Sequence, residues 1–246
     1  MGDVRIAMWS GPRNISTAMM RAFGNRPDTV AVDEPLYAHY LAATGIDHPG
    51  RDDILAAQDQ DWRVVTEWLT GPIPGGKSVW YQKHMTHHMI PEVGLAWLDG
   101  VTNAFLIREP AQVVASYARV RGEPTLEDLG FPQQAELFTR CADRLGVAPP
   151  VVDAGDVRRD PRGVLAQLCD AVGVGFDEAM LSWPPGPRPE DGVWAPHWYA
   201  AVERSTGFEP YVAPVVEVPA HLQGLLERCQ PYYDQLAPHR LLPTTS

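Results

Sequence analysis

Short apolar runs alternate along this chain with longer stretches of helical periodicity. Val4–Trp9, Thr29–Val32, Ser78–Lys83, Asn103–Ile107 and Val151–Asp153 are β-branched or apolar and predict buried strands. Residues 16–25, 61–69, 110–120, 132–145 and 161–172 lie between or after them and predict helices. This order predicts an α/β fold, a central parallel sheet flanked by helices in three layers. In such sheets ligands bind beyond the carboxyl ends of the strands. Attention therefore falls on Ser10–Thr17, Asp33-Glu34, Lys83-His84, Arg108 and Asp153–Asp156. Residues 183–192 (WPPGPRPEDG) break the alternation and read as a loop, of the kind that can act as a lid. The segment Pro219–Leu236 sets Leu222, Leu225, Leu226, Cys229 and Tyr233 on one face, a helical C-terminal portion. No internal repeat interrupts the pattern, so residues 1–246 are expected to form a single domain.

Charge narrows the choice of partners. The 246 residues carry a net charge of −11, and the pI is about 5.1. Such a chain offers no broad surface for nucleic acid or an anionic membrane. Any polyanion must be gripped by a local concentration of its 20 lysines and arginines. No stretch approaches the ~20 apolar residues that span a bilayer, and the N-terminus shows no signal-peptide cleavage pattern. Cys141, Cys169 and Cys229 are widely spaced, which fits structural thiols in a reducing, cytoplasmic setting. The sequence specifies no oligomeric state.

The most informative turn is SGPRNISTAMM at 10–20, directly after the first strand. A strand, a polar turn and Ser16-Thr17 opening an apolar helix build an anion cradle. First-turn amides lack intrahelical partners, and the helix dipole adds about half a positive charge. Arg13 supplies a permanent cation, and the Ser16 and Thr17 hydroxyls can cap the helix and bond an oxyanion. The ligand class is phosphate or sulfate. The second glycine and the lysine of a Walker A loop are absent. Arg108 ends the fourth strand, with Ser116 about two turns into the next helix. Both suit a shared anion such as a sugar phosphate, or else Arg108 pairs internally with Glu109, Glu34 or Asp33.

These residues resemble those of sulfotransferases that use 3′-phosphoadenosine 5′-phosphosulfate (PAPS). RNIST (13–17) stands where that family has a 5′-phosphosulfate loop of the type (K/R)-S-G-T-T, with Asn14 for serine and Ile15 for the glycine. Arg108 and Ser116 match its R-x7-S motif for the 3′-phosphate. Residues 151–172 resemble a further family stretch, and RPEDGVW (188–194) resembles a late R-K-G-x-x-G-D-W loop without its lysine and without the aspartate before Trp194. The resemblance implies a P-loop-like fold and sulfuryl transfer to a small-molecule hydroxyl acceptor, with release of adenosine 3′,5′-bisphosphate (PAP). It implies that Arg13, Asn14, Ser16 and Thr17 hold the phosphosulfate. Arg108, Ser116 and Arg188 would hold the 3′-phosphate, and Trp194 would lie beside the cofactor.

Two residues compete as the base. Glu34, in DEPLYAHY, resembles the glutamate of an E-P-x-W/Y-H segment in carbohydrate sulfotransferases. His84, in QKHMTHHM, resembles the histidine of a K-T-H segment in cytosolic ones, one residue out of register. Lys83 suits charge stabilisation with Arg13. His84, His87 and His88 also have the i, i+3, i+4 spacing of ligands on a helix. No acid or cysteine stands near them in sequence, so they are expected to line an acceptor cleft or to satisfy local hydrogen bonds, and no metal is expected. Of the eight tryptophans most read as core, while Trp194 and Trp198, with His197, follow the proline-rich loop. The alternatives left open are a nucleotide-dependent kinase and a non-catalytic nucleotide-binding protein.

Overall fold

In the computed structural model, which describes residues 2–213 and 215–244, five parallel strands form one sheet. They are β1 (Val4–Ser10), β2 (Thr29–Asp33), β3 (Val79–Met85), β4 (Thr102–Ile107) and β5 (Val151–Asp153), in the spatial order β2-β3-β1-β4-β5. From β1 the chain crosses to the β2 edge, returns through β3, and only then passes to β4 on the other side. The chain thus reverses direction around β1, and that reversal opens a crevice above its carboxyl end.

Helices cover both faces. In chain order they are α1 (Ser16–Gly24), α2 (Tyr37–Thr44), α3 (Arg51–Ala57), α4 (Trp62–Thr70), α5 (Pro110–Arg121) and α6 (Leu126–Leu129), followed by α7 (Phe131–Leu145), α8 (Ala154–Arg159), α9 (Pro161–Ala171), α10 (Ala195–Trp198) and α11 (Gln223–Leu236). Alternation along the strands sorts the core into two layers. Ile6, Met8, Tyr81, Ala104, Leu106 and Val152 pack with α1, α2 and α9. Ala7, Trp9, Trp80, Phe105, Ile107 and Val151 pack with α4, α5, α7 and α11.

The five expected strands and the long helices lie where the hydrophobic pattern sets them, within a residue or two, except that α11 begins four residues late, after a 3₁₀ turn at Ala220–Leu222. α2, α3, α6, α8 and α10, four to eight residues each, are additions. So short a segment shows less than two or three turns of periodicity, and packing rather than pattern makes it helical. Residues 183–192 are free of helix and strand, as expected. They are nevertheless tied down: the buried Arg21 side chain grips Asp191 through two bonds of 2.5 and 2.8 Å. Trp68 is 47% exposed, so not every tryptophan is core. The three cysteines are buried and unpaired, and burial pushes each thiol up to about 11. Among the described residues no helix is long and apolar enough to cross a membrane.

Candidate functional site

A cavity of about 510 Å³ opens above the carboxyl ends of β1, β2 and β3. One wall is the turn Pro12–Ala18, joined by Arg108, Tyr117 and Arg158. The other holds Glu34, Tyr37, Lys83, His87, His88, Trp194, Trp198 and Tyr199. Arg13 and Glu34, one on each wall, are the only non-glycine residues with positive φ among those described, at 57° and 41°. Left-handed backbone costs such residues about 1–3 kcal/mol and persists where the surrounding fold over-determines it. Here that strain sits on the two residues carrying the site's most suggestive chemistry.

The first wall is built for an anion. Asn14 pins the turn: its side chain donates to the Leu106 carbonyl at 3.2 Å and accepts from the Ile15 amide at 2.8 Å. Gly11 is needed because a Cβ there would lie 2.9 Å from the Leu129 carbonyl oxygen. Ile15 adopts φ −89°, an ordinary value, so replacing a glycine at this place costs no backbone strain. The expected capping by Ser16 or Thr17 is corrected. Ile15 occupies the N-cap with no side-chain bond, and the two hydroxyl residues are the first residues of α1 itself. The amides of Ser16, Thr17 and Ala18 therefore have no protein acceptor among the described residues and line the cavity.

Two arginines complete this wall. Arg108 donates to the Arg13 main-chain carbonyl, and Arg13 Nε donates to Ser116 Oγ at 3.1 Å. The internal ion pair considered for Arg108 does not form. Among the described residues no carboxylate comes within 4.0 Å of Arg13 or Arg108, although Gln112 accepts from Arg108 at 3.1 Å. Burial lowers both guanidinium pKa values, and repulsion adds to it, from Arg119 on Arg13 and from Arg158 and Arg13 on Arg108. Crowded, half-buried cations without acids are stabilised by an anion placed among them. These groups fit a phosphate or sulfate.

The second wall is saturated with internal pairs. Lys83 Nζ donates to Asp33 Oδ1 (2.8 Å), Glu34 Oε1 (2.7 Å) and the Tyr199 hydroxyl (2.6 Å), which uses all three ammonium hydrogens. Tyr199 in turn donates to Asp33 Oδ2 at 2.6 Å and accepts from Trp194 Nε1 at 3.1 Å. The Gly192 amide also donates to Asp33, tying the proline-rich loop to this cluster. Burial opposes the charge on Lys83, yet Asp33 and Glu34 hold its pKa well above the ordinary lysine value. For Glu34 burial wins over Lys83, and its pKa is raised, the direction that suits a general base.

The structure brings most of the sequence-selected residues together. Arg13, Asn14, Ser16, Thr17, Glu34, Lys83, Arg108 and Trp194 all line the one cavity, and Ser116 reaches it through Arg13. His84 and Arg188 do not line it. Lys83 and Met85 point to the cavity face of β3, so His84 points through the sheet. It stacks on Trp9 at 4.4 Å, and burial pushes it down to about 3. Arg188 bonds Asp191 through its main-chain amide. The helical spacing read for the histidines is also corrected, because His84 is on β3 while His87 and His88 lie in a 3₁₀ turn. No group of three or more His, Cys, Asp or Glu side chains among the described residues is arranged to hold a metal ion.

Sequence reasoning missed Tyr199, Tyr37 and Arg158. Nothing local distinguishes Tyr199, whose role depends on a contact with Asp33 across 166 positions. The misplacement of His84 was detectable, since a strand's period of two sends neighbours to opposite faces.

The match to known proteins is decisive for the family. A family model described as a sulfotransferase domain matches residues 4–239. The chain belongs to the sulfotransferase domain family. Two solved structures share the sulfotransferase fold throughout. A sulfotransferase domain from the curacin biosynthetic pathway has a TM-score of 0.56 at 16% identity and covers 99% of both chains. A sulfotransferase from Alicyclobacillus acidocaldarius has a TM-score of 0.57 at 14% identity and covers 98% of both. Two Arabidopsis thaliana proteins are closer in sequence: branched-chain-amino-acid aminotransferase-like proteins 1 and 2, at 37% and 34% identity over 95% of this chain. This sulfotransferase domain spans only about two fifths of their length, 42% and 41%.

Proposed function

We propose that this domain transfers a sulfuryl group from PAPS to the hydroxyl of a small-molecule acceptor and releases PAP. The observation that carries the reading is the two-walled cavity, with unpaired cations facing a buried carboxylate across one space. Bound PAPS supplies an activated SO₃ group whose sulfur–oxygen bond to phosphate breaks as a bond to the acceptor oxygen forms. The α1 amides, Ser16, Thr17 and Arg13 hold the 5′-phosphosulfate and offset charge growing on the departing phosphate. Arg108 holds the 3′-phosphate, and Ser116 and Asn14 position Arg13 and the turn. Glu34 takes the acceptor's proton, because it borders the cavity with a raised pKa while His84 lies behind the sheet. Lys83 fixes Glu34 in place and sets a permanent positive charge beside the transfer point. Arg188, which does not line the cavity, has no part in donor binding.

Thermal shift with PAP, AMP and ATP–Mg²⁺ tests the donor. PAP is expected to raise the melting temperature most, since it alone engages both arginines through separate phosphates. A response confined to ATP–Mg²⁺ overturns the reading in favour of a kinase.

A further inference from the structure

Next to Glu34 stands a side chain whose hydrogen-bonding capacity is entirely unused. His88 is 1% exposed, and among the described residues neither ring nitrogen has a partner, nor does either reach solvent. Buried polar atoms are nearly always satisfied, and an exception at the edge of a cavity marks a place where a ligand does the satisfying. The ring is held between Tyr37 and Tyr40, stacked at 4.6 and 4.8 Å. Its orientation is therefore fixed by packing. Its Nε2 lies 3.9 Å from Glu34 Oε2, too far for a direct bond. An oxygen about 2.8 Å from each atom spans that gap.

We infer that His88 binds the acceptor hydroxyl jointly with Glu34, and that this end of the cavity takes an uncharged alcohol. The hydroxyl hydrogen points to Glu34 Oε2, and the hydroxyl oxygen accepts from His88 Nε2–H. As Glu34 removes the proton, negative charge grows on the oxygen that His88 already holds. Burial supports this role by keeping the imidazole neutral, with further help from the positive charge of Lys83. The neighbours on this wall support the substrate class. Tyr37 and Met85 are neutral, His87 is pushed down to about 3, and every hydrogen of Lys83 is already committed. Among the described residues of this wall no free cation is present to recognise an acidic acceptor.

This inference rests on the proposed sulfuryl transfer. Its test uses the full chain saturated with PAP and three probe alcohols: phenol, benzyl alcohol and 1-hexanol. In protein carrying ¹⁵N-histidine, His88 is expected as a neutral ring whose Nε2 resonance moves when at least one probe is added. His88→Phe keeps a stacking ring and removes both nitrogens. It should weaken that probe about tenfold while PAP affinity, which also reports folding, stays unchanged. His88→Gln restores an N–H donor and should recover most of the loss. The inference is overturned if no probe moves the His88 signal, or if His88→Phe binds the probe as tightly as the parent. Failure of the parent chain to bind PAP is a separate result, which removes the donor reading and this one with it.

Discussion

The two walls of the cavity handle charge in opposite ways. On the α1 wall, Arg13 and Arg108 are crowded together with no carboxylate within 4.0 Å among the described residues, and three helix amides have no protein acceptor there. On the β2–β3 wall, one lysine, two carboxylates and a tyrosine bond one another, and only Glu34 Oε2 stays outside the network. Unmet positive charge marks where a permanent anion binds, because only an external ligand can neutralise it. A closed network instead holds one group at a chosen proton affinity, here Glu34 against its own desolvation. In the proposed reaction, donor binding and proton transfer are divided between two walls of one cavity.

The largest expected effect strikes the second wall alone. Glu34→Gln should lower kcat by roughly 10²–10⁴ and leave PAP affinity unchanged, as single-turnover kinetics and calorimetry would show. A parallel loss of PAP affinity would break the division. Because burial raises the Glu34 pKa, the parent's rate should climb with pH along a limb centred above the ordinary glutamate value of 4.5. The variant should lack that limb.

Arg108→Ala strikes the other wall. PAP binding should weaken by about 2–3 kcal/mol, roughly 30- to 150-fold, through loss of a charge-assisted contact. Equal affinities in variant and parent would remove Arg108 from the donor site.

Acid stability sharpens the contrast further. His84, His87 and His88 are all held below the ordinary histidine value of 6.5 by burial. The unfolded chain takes up protons below that pH while the folded one does not, so stability falls as pH falls. Glu34 works the other way, since its raised pKa lets the folded state keep a proton longer. Asp153, also raised by burial, works the same way as Glu34; with three imidazoles against these two carboxylates, the urea midpoint should be lower at pH 5 than at pH 7. The smallest effect belongs to His84→Gln. It should change kcat by no more than roughly threefold while lowering stability, because the ring packs on Trp9 behind the sheet. A loss as deep as that of Glu34→Gln would restore His84 as the base.

The sequence by itself determined the five parallel strands, the long helices and the anion turn. Each depends on local causes: β-branched runs, helical periodicity, and the unpaired amides that follow any strand-to-helix turn. It also singled out Arg13, Arg108, Glu34 and Lys83, because the ends of parallel strands converge by topology. Local pattern could not say that Arg108 escapes an ion pair, that Lys83 is divided among Asp33, Glu34 and Tyr199, or that His88 is left without a partner. Those outcomes depend on which side chains meet across 49 to 116 positions of chain. Only the packed tertiary structure decides them, since burial and pairing, not residue type, set what a charge or an imidazole is free to do.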